Sequence, residues 1–378
     1  MAAALEAVDA ARCTRRALDR LAVRPAGPVA VVAIGKASAG MARAIVEWLA
    51  SHGIAPCGGL VVGHVPTPPP HPAVPSVVGD HPIPGAGSSR AADTLAAAIA
   101  ALPADATVHV AISGGTSALI GAPRSGVTPE AFAAEWRGLL DAGLPIAAMN
   151  VRRHRIARFA GGGLAEALIP RRIIGWLLSD VVGGPIDAIG SGPLVSPAVP
   201  VPMHLVGDNP AAVRAAADAA TAAGCVVRIV SAPLDGEAAA AGGAIAAALL
   251  ALPRADTPQV LLWGGETTVE LGPSHGVGGR SQELALSASQ VLAAAGDAAR
   301  GVTLLAFGTD GRDGPTDAAG AIVSAGTWQH LLALGADPAE ALARHDSAPM
   351  LDRADALVRT GPTGTNVADL VIGLRWPS

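Results

Sequence analysis

Pro28-Val-Ala-Val-Val-Ala-Ile-Gly-Lys-Ala-Ser-Ala-Gly40 is the stretch from which the rest of the chain can be read. Residues 29–34 are a continuous apolar run rich in β-branched side chains, as expected of a strand covered on both faces in a parallel sheet. Gly35 ends the run, and residues 37–49 have the spacing and composition of a helix. Lys36 stands at the turn between them. It is the only lysine among 26 Lys and Arg residues, so this chain uses arginine wherever arginine serves. A lysine kept at the carboxyl end of a buried strand, beside a helix N-terminus, reads as a compact point charge for an anionic substrate or phosphate. The competing reading is an ordinary exposed turn lysine.

At 378 residues the chain can build two domains with substantial cores. Aromatic residues are only 2%, so the core must be Ala, Val, Leu and Ile, which suits helices packed closely on parallel strands. A net charge of −5 and the lack of a Lys/Arg-rich run exclude a nucleic-acid partner. Three widely spaced cysteines, Cys13, Cys57 and Cys225, fit neither a disulfide framework nor a zinc site, and a cytoplasmic setting is expected. The first twenty residues read as an amphipathic helix without a signal-peptide core, and the alanine-rich run 238–253 is too short to span a bilayer. A soluble protein with no membrane partner is expected; a homodimer is compatible with the sequence.

Strand-like runs at 29–34, 59–62, 108–112, 173–178, 204–206, 226–230, 259–263, 303–307 and 370–373 alternate with helical segments such as 89–101, 129–141 and 210–223. This alternation predicts open α/β sheets with helices on both faces. Asp208 or Asn209 is the expected cap of the helix that starts at Pro210. The proline-rich stretch 193–202 is the best linker, which predicts domains at 1–198 and 199–378; a second break is possible at 253–258.

Ligands of open α/β sheets bind beyond the carboxyl ends of the strands, and those ends are heavily decorated here. Ser113-Gly-Gly-Thr-Ser117 follows one strand, and Ser179-Asp180 and then Ile189-Gly-Ser-Gly-Pro193 follow another. Gly264-Gly-Glu-Thr-Thr268, Gly276-Val-Gly-Gly-Arg-Ser-Gln-Glu283 and Gly308-Thr-Asp-Gly-Arg-Asp-Gly-Pro-Thr-Asp317 complete the set. Glycine mixed with Ser, Thr and acids lets backbone N–H groups approach an anion. Ser113, Gly114, Gly115, Thr116, Ser117, Ser191, Gly192, Glu266, Thr267 and Glu283 are therefore candidate substrate- or phosphate-binding residues. Asp310, Asp313 and Asp317, spaced by glycine and proline, are expected to converge as hard oxygen ligands for Mg²⁺ carried in with a nucleotide, with Asp180 a further candidate. Arg280 is the cation a transferring phosphoryl group would need. No Walker A, dinucleotide fingerprint or nucleophile elbow is present.

Together these loops resemble the glycerate 2-kinase family, which carries a MOFRL C-terminal domain and is often labelled hydroxypyruvate reductase. The resemblance rests on AIGKASAGMA at 33–42, HPIPG at 81–85, ISGGTSALI at 112–120 and LLSDVVGG with SGP within 177–193. It continues in GGETTVELG at 264–272, GGRSQELAL at 278–286, GTDGRDGPTDAAGA at 308–321 and TGPTGTNVADL at 360–370. It implies an N-terminal Rossmann-like three-layer α/β/α domain with a mostly parallel sheet and a smaller C-terminal α/β domain, MOFRL-like over about 256–378, with the active site in the interdomain cleft. It also implies that the γ-phosphoryl of ATP passes to the 2-hydroxyl of D-glycerate, with Lys36 and Arg280 as catalytic residues. The partners implied are a small hydroxy acid and a nucleotide.

The chain departs from the family pattern at Thr116, where a glycine is usual, and at Gly184-Pro185, where two acids are usual. The family's lysine before paired glycines falls on Ala160, so either Arg153, Arg155 or Arg158 supplies that charge from another turn, or the substrate carries its negative charge elsewhere, or activity is reduced. These departures leave open a kinase for a different small hydroxy acid, a nicotinamide reductase, and a silent nucleotide-binding relative.

Overall fold

A computed structural model describes residues 1–21, 27–141 and 146–377. Two compact units divide the chain. The first comprises Val8–Asp208 together with residues 364–366; the second comprises Met1–Ala7, Asn209–Thr363 and the chain from Val367 onward. The division falls at 208/209 rather than 198/199, because the strand at 203–207 pairs into the first sheet.

The first unit carries β1 (Val29–Ile34), β2 (Gly58–Gly63), β3 (Ser76–Val78), β4 (Thr107–Ile112), β5 (Arg172–Leu178) and β6 (Met203–Gly207). All pairs are parallel and the order is β3-β2-β1-β4-β5-β6. This is the 3-2-1-4-5-6 order of doubly wound sheets, whose direction of winding reverses between β1 and β4. Every residue of β1 and of β4 is buried, as the uninterrupted apolar runs require. Ile34 and Ile112, both fully buried beside the switch point, each contribute about 2 kcal/mol by leaving water.

On one side of this sheet, rings line up in a row: Trp48 lies tilted beside His109 at 5.8 Å, His109 stacks on Trp176 at 5.9 Å and Trp176 on His204 at 4.8 Å. Trp176 Nε1 donates to His109 Nδ1 at 3.0 Å, which assigns the imidazole proton to Nε2; that atom is buried without a partner. Burial pushes the His109 pKa down to about 4 from 6.5. Between these values the unfolded chain binds the proton and the folded chain does not. Stability is therefore complete above pH 6.5 and falls with pH toward 4, by about 3 kcal/mol in all. Denaturant titrations of wild type and His109→Phe across pH 4 to 7 should show wild type losing about 3 kcal/mol relative to the variant between pH 6.5 and 4, the pH dependence of the buried acids Asp313 and Asp369 cancelling in the difference.

The second unit carries β7 (Val226–Ile229), β8 (Gln259–Gly265), β9 (Val302–Gly308), β10 (Gly320–Ser324), β11 (Leu357–Val358) and β12 (Asp369–Arg375), in the order β11-β10-β9-β12-β8-β7. Only β7 and β8 are parallel; the other pairs are antiparallel. The sequence predicts open sheets from strand–helix alternation, and here it misses β10 and β11. The connection from β9 to β10 holds no helix and is too short for a parallel crossover, so the chain turns back on itself. The helix Arg280–Ala294 packs its apolar face on this sheet, burying Leu284, Leu286 and Leu292. Of the two residues expected as cap, Asp208 is the one that precedes the helix. Asn209 begins the helix, and its side chain donates to the carbonyls of Val367 and Asp369 at 2.8 and 2.9 Å. Among the described residues no helix is long and apolar enough to cross a membrane.

Candidate active-site residues

In the first unit the turns after β1 and β4 are stitched together. Ser113 N–H donates to the Ile34 carbonyl (3.0 Å), Lys36 N–H to the Gly114 carbonyl (2.8 Å) and Ala37 N–H to Ser113 Oγ (3.1 Å). Gly35 has φ +130°, and a Cβ there would lie 2.1 Å from Ser113 Oγ, so only glycine lets the two turns meet. The result fixes the backbone of Lys36 at the switch point of the sheet. A Cβ on Gly114 would lie 2.0 Å from Asp180 Oδ2 and 2.8 Å from Asn366 Nδ2, which brings both side chains against this turn. Gly115, at φ +85°, faces His81 and the Lys36 stem in the same way. Lys36, Gly114, Gly115 and Asp180 thus come together, joined by His81 and Asn366, which the sequence reading did not single out.

Thr116 plays a different part from the one expected. It is wholly buried, and its hydroxyl bonds the Ile34 and Ser113 carbonyls at 3.0 and 2.7 Å. Its methyl side packs where a Gly190 side chain would otherwise sit. The departure from the family's glycine is a structural pin, and the hydroxyl is spent on backbone rather than offered to a phosphate. Ser113, also wholly buried, likewise spends its oxygen on Ala37.

Beside this turn, Ser117 Oγ lies 2.7 Å from Ser191 Oγ, and Ser191 Oγ donates to Asn150 Oδ1 at 2.9 Å. His154 Nε2 lies 3.0 Å from the Ser191 carbonyl. These bonds hold Ser191 at φ +61°, between Gly190 and Gly192, which share the left-handed conformation. Arg153, on the helix Ile146–Ile156, stacks its guanidinium 4.7 Å from the Trp136 ring. Arg155 is exposed, whereas Arg158 pairs with Asp93 at 3.2 Å on the surface.

In the second unit Arg280 opens the helix Arg280–Ala294. Asp313 caps that helix from a distant loop, accepting from Ser281 N–H at 3.1 Å and Gln282 N–H at 2.7 Å. Arg280 donates through Nε and Nη2 to the two Asp369 oxygens at 2.5 and 3.0 Å, and through Nη1 to Glu266. Burial opposes the Arg280 charge, but the Asp369 carboxylate and then Glu266 outweigh it and raise the guanidinium pKa. Burial pushes the Asp369 carboxyl up, to about 7, with Arg280 opposing it. Three of the five guanidinium donors are engaged, which leaves two for a ligand.

Asp369 is the residue the sequence reading missed. The available signal was an acid at the first position of an apolar strand. Its setting is built deliberately: Ala368 is held at φ +64° while its carbonyl accepts from Thr309 N–H (3.1 Å) and Oγ1 (2.7 Å). Asn209 clamps the Asp369 carbonyl from the other side.

The expected convergence of Asp310, Asp313 and Asp317 is corrected by the structure. Asp313 is buried under the helix N-terminus, where burial pushes its pKa up to about 6. Asp317 pairs with Arg359 at 3.2 Å on the surface. Asp310 is half-buried and accepts from Arg312 N–H at 3.0 Å. Among the described residues no three His, Cys, Asp or Glu side chains gather to hold a metal. Glu283 is also withdrawn from ligand binding: it is buried and held by His345 Nδ1 at 3.0 and 3.1 Å. Thr267 is buried as well, whereas Glu266 is half-exposed.

Comparison with known proteins agrees with this architecture. Residues 1–203 match a family described as a domain of unknown function, DUF4147, and residues 259–369 match the MOFRL family. The D-glycerate 2-kinase of Thermotoga maritima is 34% identical, over 98% of this chain and 95% of its own. The glycerate 2-kinase of Pyrococcus horikoshii is 32% identical over 92% and 87%. A crystal structure of glycerate kinase from Thermotoga maritima superimposes with a TM-score of 0.84, at 33% identity, over 98% and 96% of the two chains. A relative in Agrobacterium vitis, provisionally named a hydroxypyruvate reductase, is 34% identical over 93% of this chain and 88% of its own.

Fold and relatives together define an α/β kinase, a phosphotransferase whose acceptor is an alcohol group. The chain belongs to the glycerate 2-kinase family.

Proposed function

We propose that this chain transfers the γ-phosphoryl group of ATP to the 2-hydroxyl of D-glycerate, giving ADP and 2-phosphoglycerate. The observation that carries the reading is Lys36, whose backbone is fixed at the switch point of the first sheet against the side-chain-free turn Gly114–Gly115. A compact ammonium on a stem that runs past a turn of two glycines suits a phosphoryl group, whose transfer asks the protein for position and positive charge. Arg280, with two donors left over, is the second cation. Backbone at 114–117 and Arg153 bind substrate or phosphate. The missing nucleotide-binding fingerprint at the turn after β1, which holds Lys36 in place of a glycine series, disfavours a nicotinamide reductase.

Mg²⁺ typically takes one or two protein carboxylates and completes its shell with phosphates and water, so a half-buried single acid fits it and a three-carboxylate cage is not needed. Asp310 is the residue that would hold it; the ion would neutralise charge on the β- and γ-phosphate oxygens. Asp310→Asn should weaken the Mg²⁺-dependent part of ATP binding about tenfold with thermal stability unchanged. A metal titration identical to wild type would move the role to Asp180 or Glu266.

The function itself is tested by ADP release against a panel of short hydroxy acids. D-Glycerate should turn over fastest, only with Mg-ATP, and the product should carry phosphate on O2. ADP release with another acid alone would favour a second reading, a kinase of this family with a shifted substrate, to which Ala160 and Gly184-Pro185 point. NADH oxidation with hydroxypyruvate and no ADP release would overturn both.

A further inference from the structure

In the first unit a small cavity, about 10 Å³ in volume, is lined by Ser117, Trp136, Arg153, Ala160 and Ser191 among others. That is room for a single oxygen atom. Two N–H donors of its lining are buried with no acceptor: Trp136 Nε1, on a side chain 2% exposed, and Arg153 Nε. The serines do not compete for this role. Ser191 Oγ gives its hydrogen to Asn150 Oδ1, so Ser117 must give its own to Ser191. The hydrogens of both hydroxyls are spent, and the indole and guanidinium are what remain to donate. A buried N–H without an acceptor is costly, and a cation–π pair whose two members both line one water-sized space and each carry such a donor calls for an oxygen there, best a charged one.

We infer that Trp136 and Arg153 seat one carboxylate oxygen of the hydroxy-acid substrate. The inference rests on the kinase reading above and adds what the acid end of the substrate binds. It also accounts for Ala160. The family pattern carries a lysine there, and in this chain that position is a methyl group on the cavity wall. A lysine would fill the space, whereas alanine leaves it open and Arg153, on the helix just before it, supplies the charge. Trp136 then has two tasks, holding the guanidinium plane by stacking and donating the second hydrogen bond.

Trp136→Phe removes the N–H and keeps the ring, and Arg153→Met removes the charge and keeps the stem. Both should raise the KM for D-glycerate, the first about tenfold and the second a hundredfold, with the KM for ATP unchanged. Arg153→Lys should recover part of the loss. With glyceramide, which keeps an acceptor oxygen but lacks the carboxylate charge, the Arg153→Met penalty should shrink to a few fold while the Trp136→Phe penalty largely remains. If Trp136→Phe lowers the melting temperature and leaves the glycerate KM alone, the cavity holds a structural water only and the inference is wrong. Equal Arg153→Met penalties on glycerate and glyceramide would overturn it too, because the carboxylate charge would not be what the guanidinium senses. Should Arg153→Met fail to fold, the Trp136→Phe and Arg153→Lys measurements still decide the matter. Absence of phosphorylation by the wild type with every acid would instead defeat the kinase reading, so the two failures are distinguishable.

Discussion

Lys36→Ala should lose 10² to 10³ in kcat, about the effect of removing one preorganised charge from a transition state, while its melting temperature stays within a degree or two of wild type. The stability half of this expectation follows from the local construction. The turn is held by the backbone of residues 35–37 and by Ser113, none of which depends on the Lys36 side chain. An ordinary turn lysine would show the reverse of this contrast, with under about 0.5 kcal/mol lost in stability and no change in rate. Lys36→Arg is the more demanding variant. It keeps the charge but replaces a compact ammonium by a planar fork that needs more room beside His81 and Gly115. It should remain well below wild-type turnover. Wild-type turnover in that variant would show that the lone lysine reflects composition and not chemistry.

Asp369→Ala should be the most damaging single change in the second unit, and it should act on both stability and rate. Removing one partner of a buried ion pair costs about 3–5 kcal/mol when the other charge stays buried. Arg280 keeps 34% of its side-chain surface in water, which recovers part of that cost, so a loss of about 2 kcal/mol is expected from urea titration. Released from its two-point clamp, the guanidinium should swing toward Glu266. A displacement of about 1 Å of a charge-stabilising group can cost ~10² in rate. Asp369→Asn retains the shape and should recover most of the stability but little of the rate. Full activity in Asp369→Asn would mean that the carboxylate is a structural partner of Arg280 and does not position it for chemistry.

The parts of this fold that were legible in the sequence are those with a periodic or compositional mark. Val29–Ile34 and Thr107–Ile112 could be read because both faces of a central parallel strand are covered, which leaves an uninterrupted apolar run. Gly320–Ser324 was not legible, since it is short, opens with two small residues and turns its largest apolar side chain, Ile322, outward. The direction of the second sheet was not legible either: strand pairing is a property of connections, and the short link from β9 to β10 carries no residue type that announces it. At the site, glycines and lone cations marked the turns correctly, because backbone approach and charge are local properties. The fate of each acid was set by distant partners. Asp313 found a helix N-terminus, Asp317 found Arg359, Glu283 found His345, and Asp369 found Arg280. No spacing rule along the chain encodes those pairings.

The order of strands in the second sheet has a consequence for how the chain folds as it is made. β12 is the last of the six in chain order yet lies between β9 and β8, in the middle of the sheet. Until residues 369–375 emerge from the ribosome, β7 with β8 and β9 with β10 and β11 are two separate fragments, each with a bare hydrogen-bonding edge. The parallel sheet of the first unit, by contrast, has all six strands translated by residue 207. Vectorial synthesis should therefore leave a finished first sheet tethered to an unclosed second one for the time needed to add more than a hundred and fifty residues, on the order of ten to thirty seconds at ~5–20 residues per second. That interval is when the nascent chain most needs a holdase, and a stalled chain truncated before residue 369 should be the form captured by one.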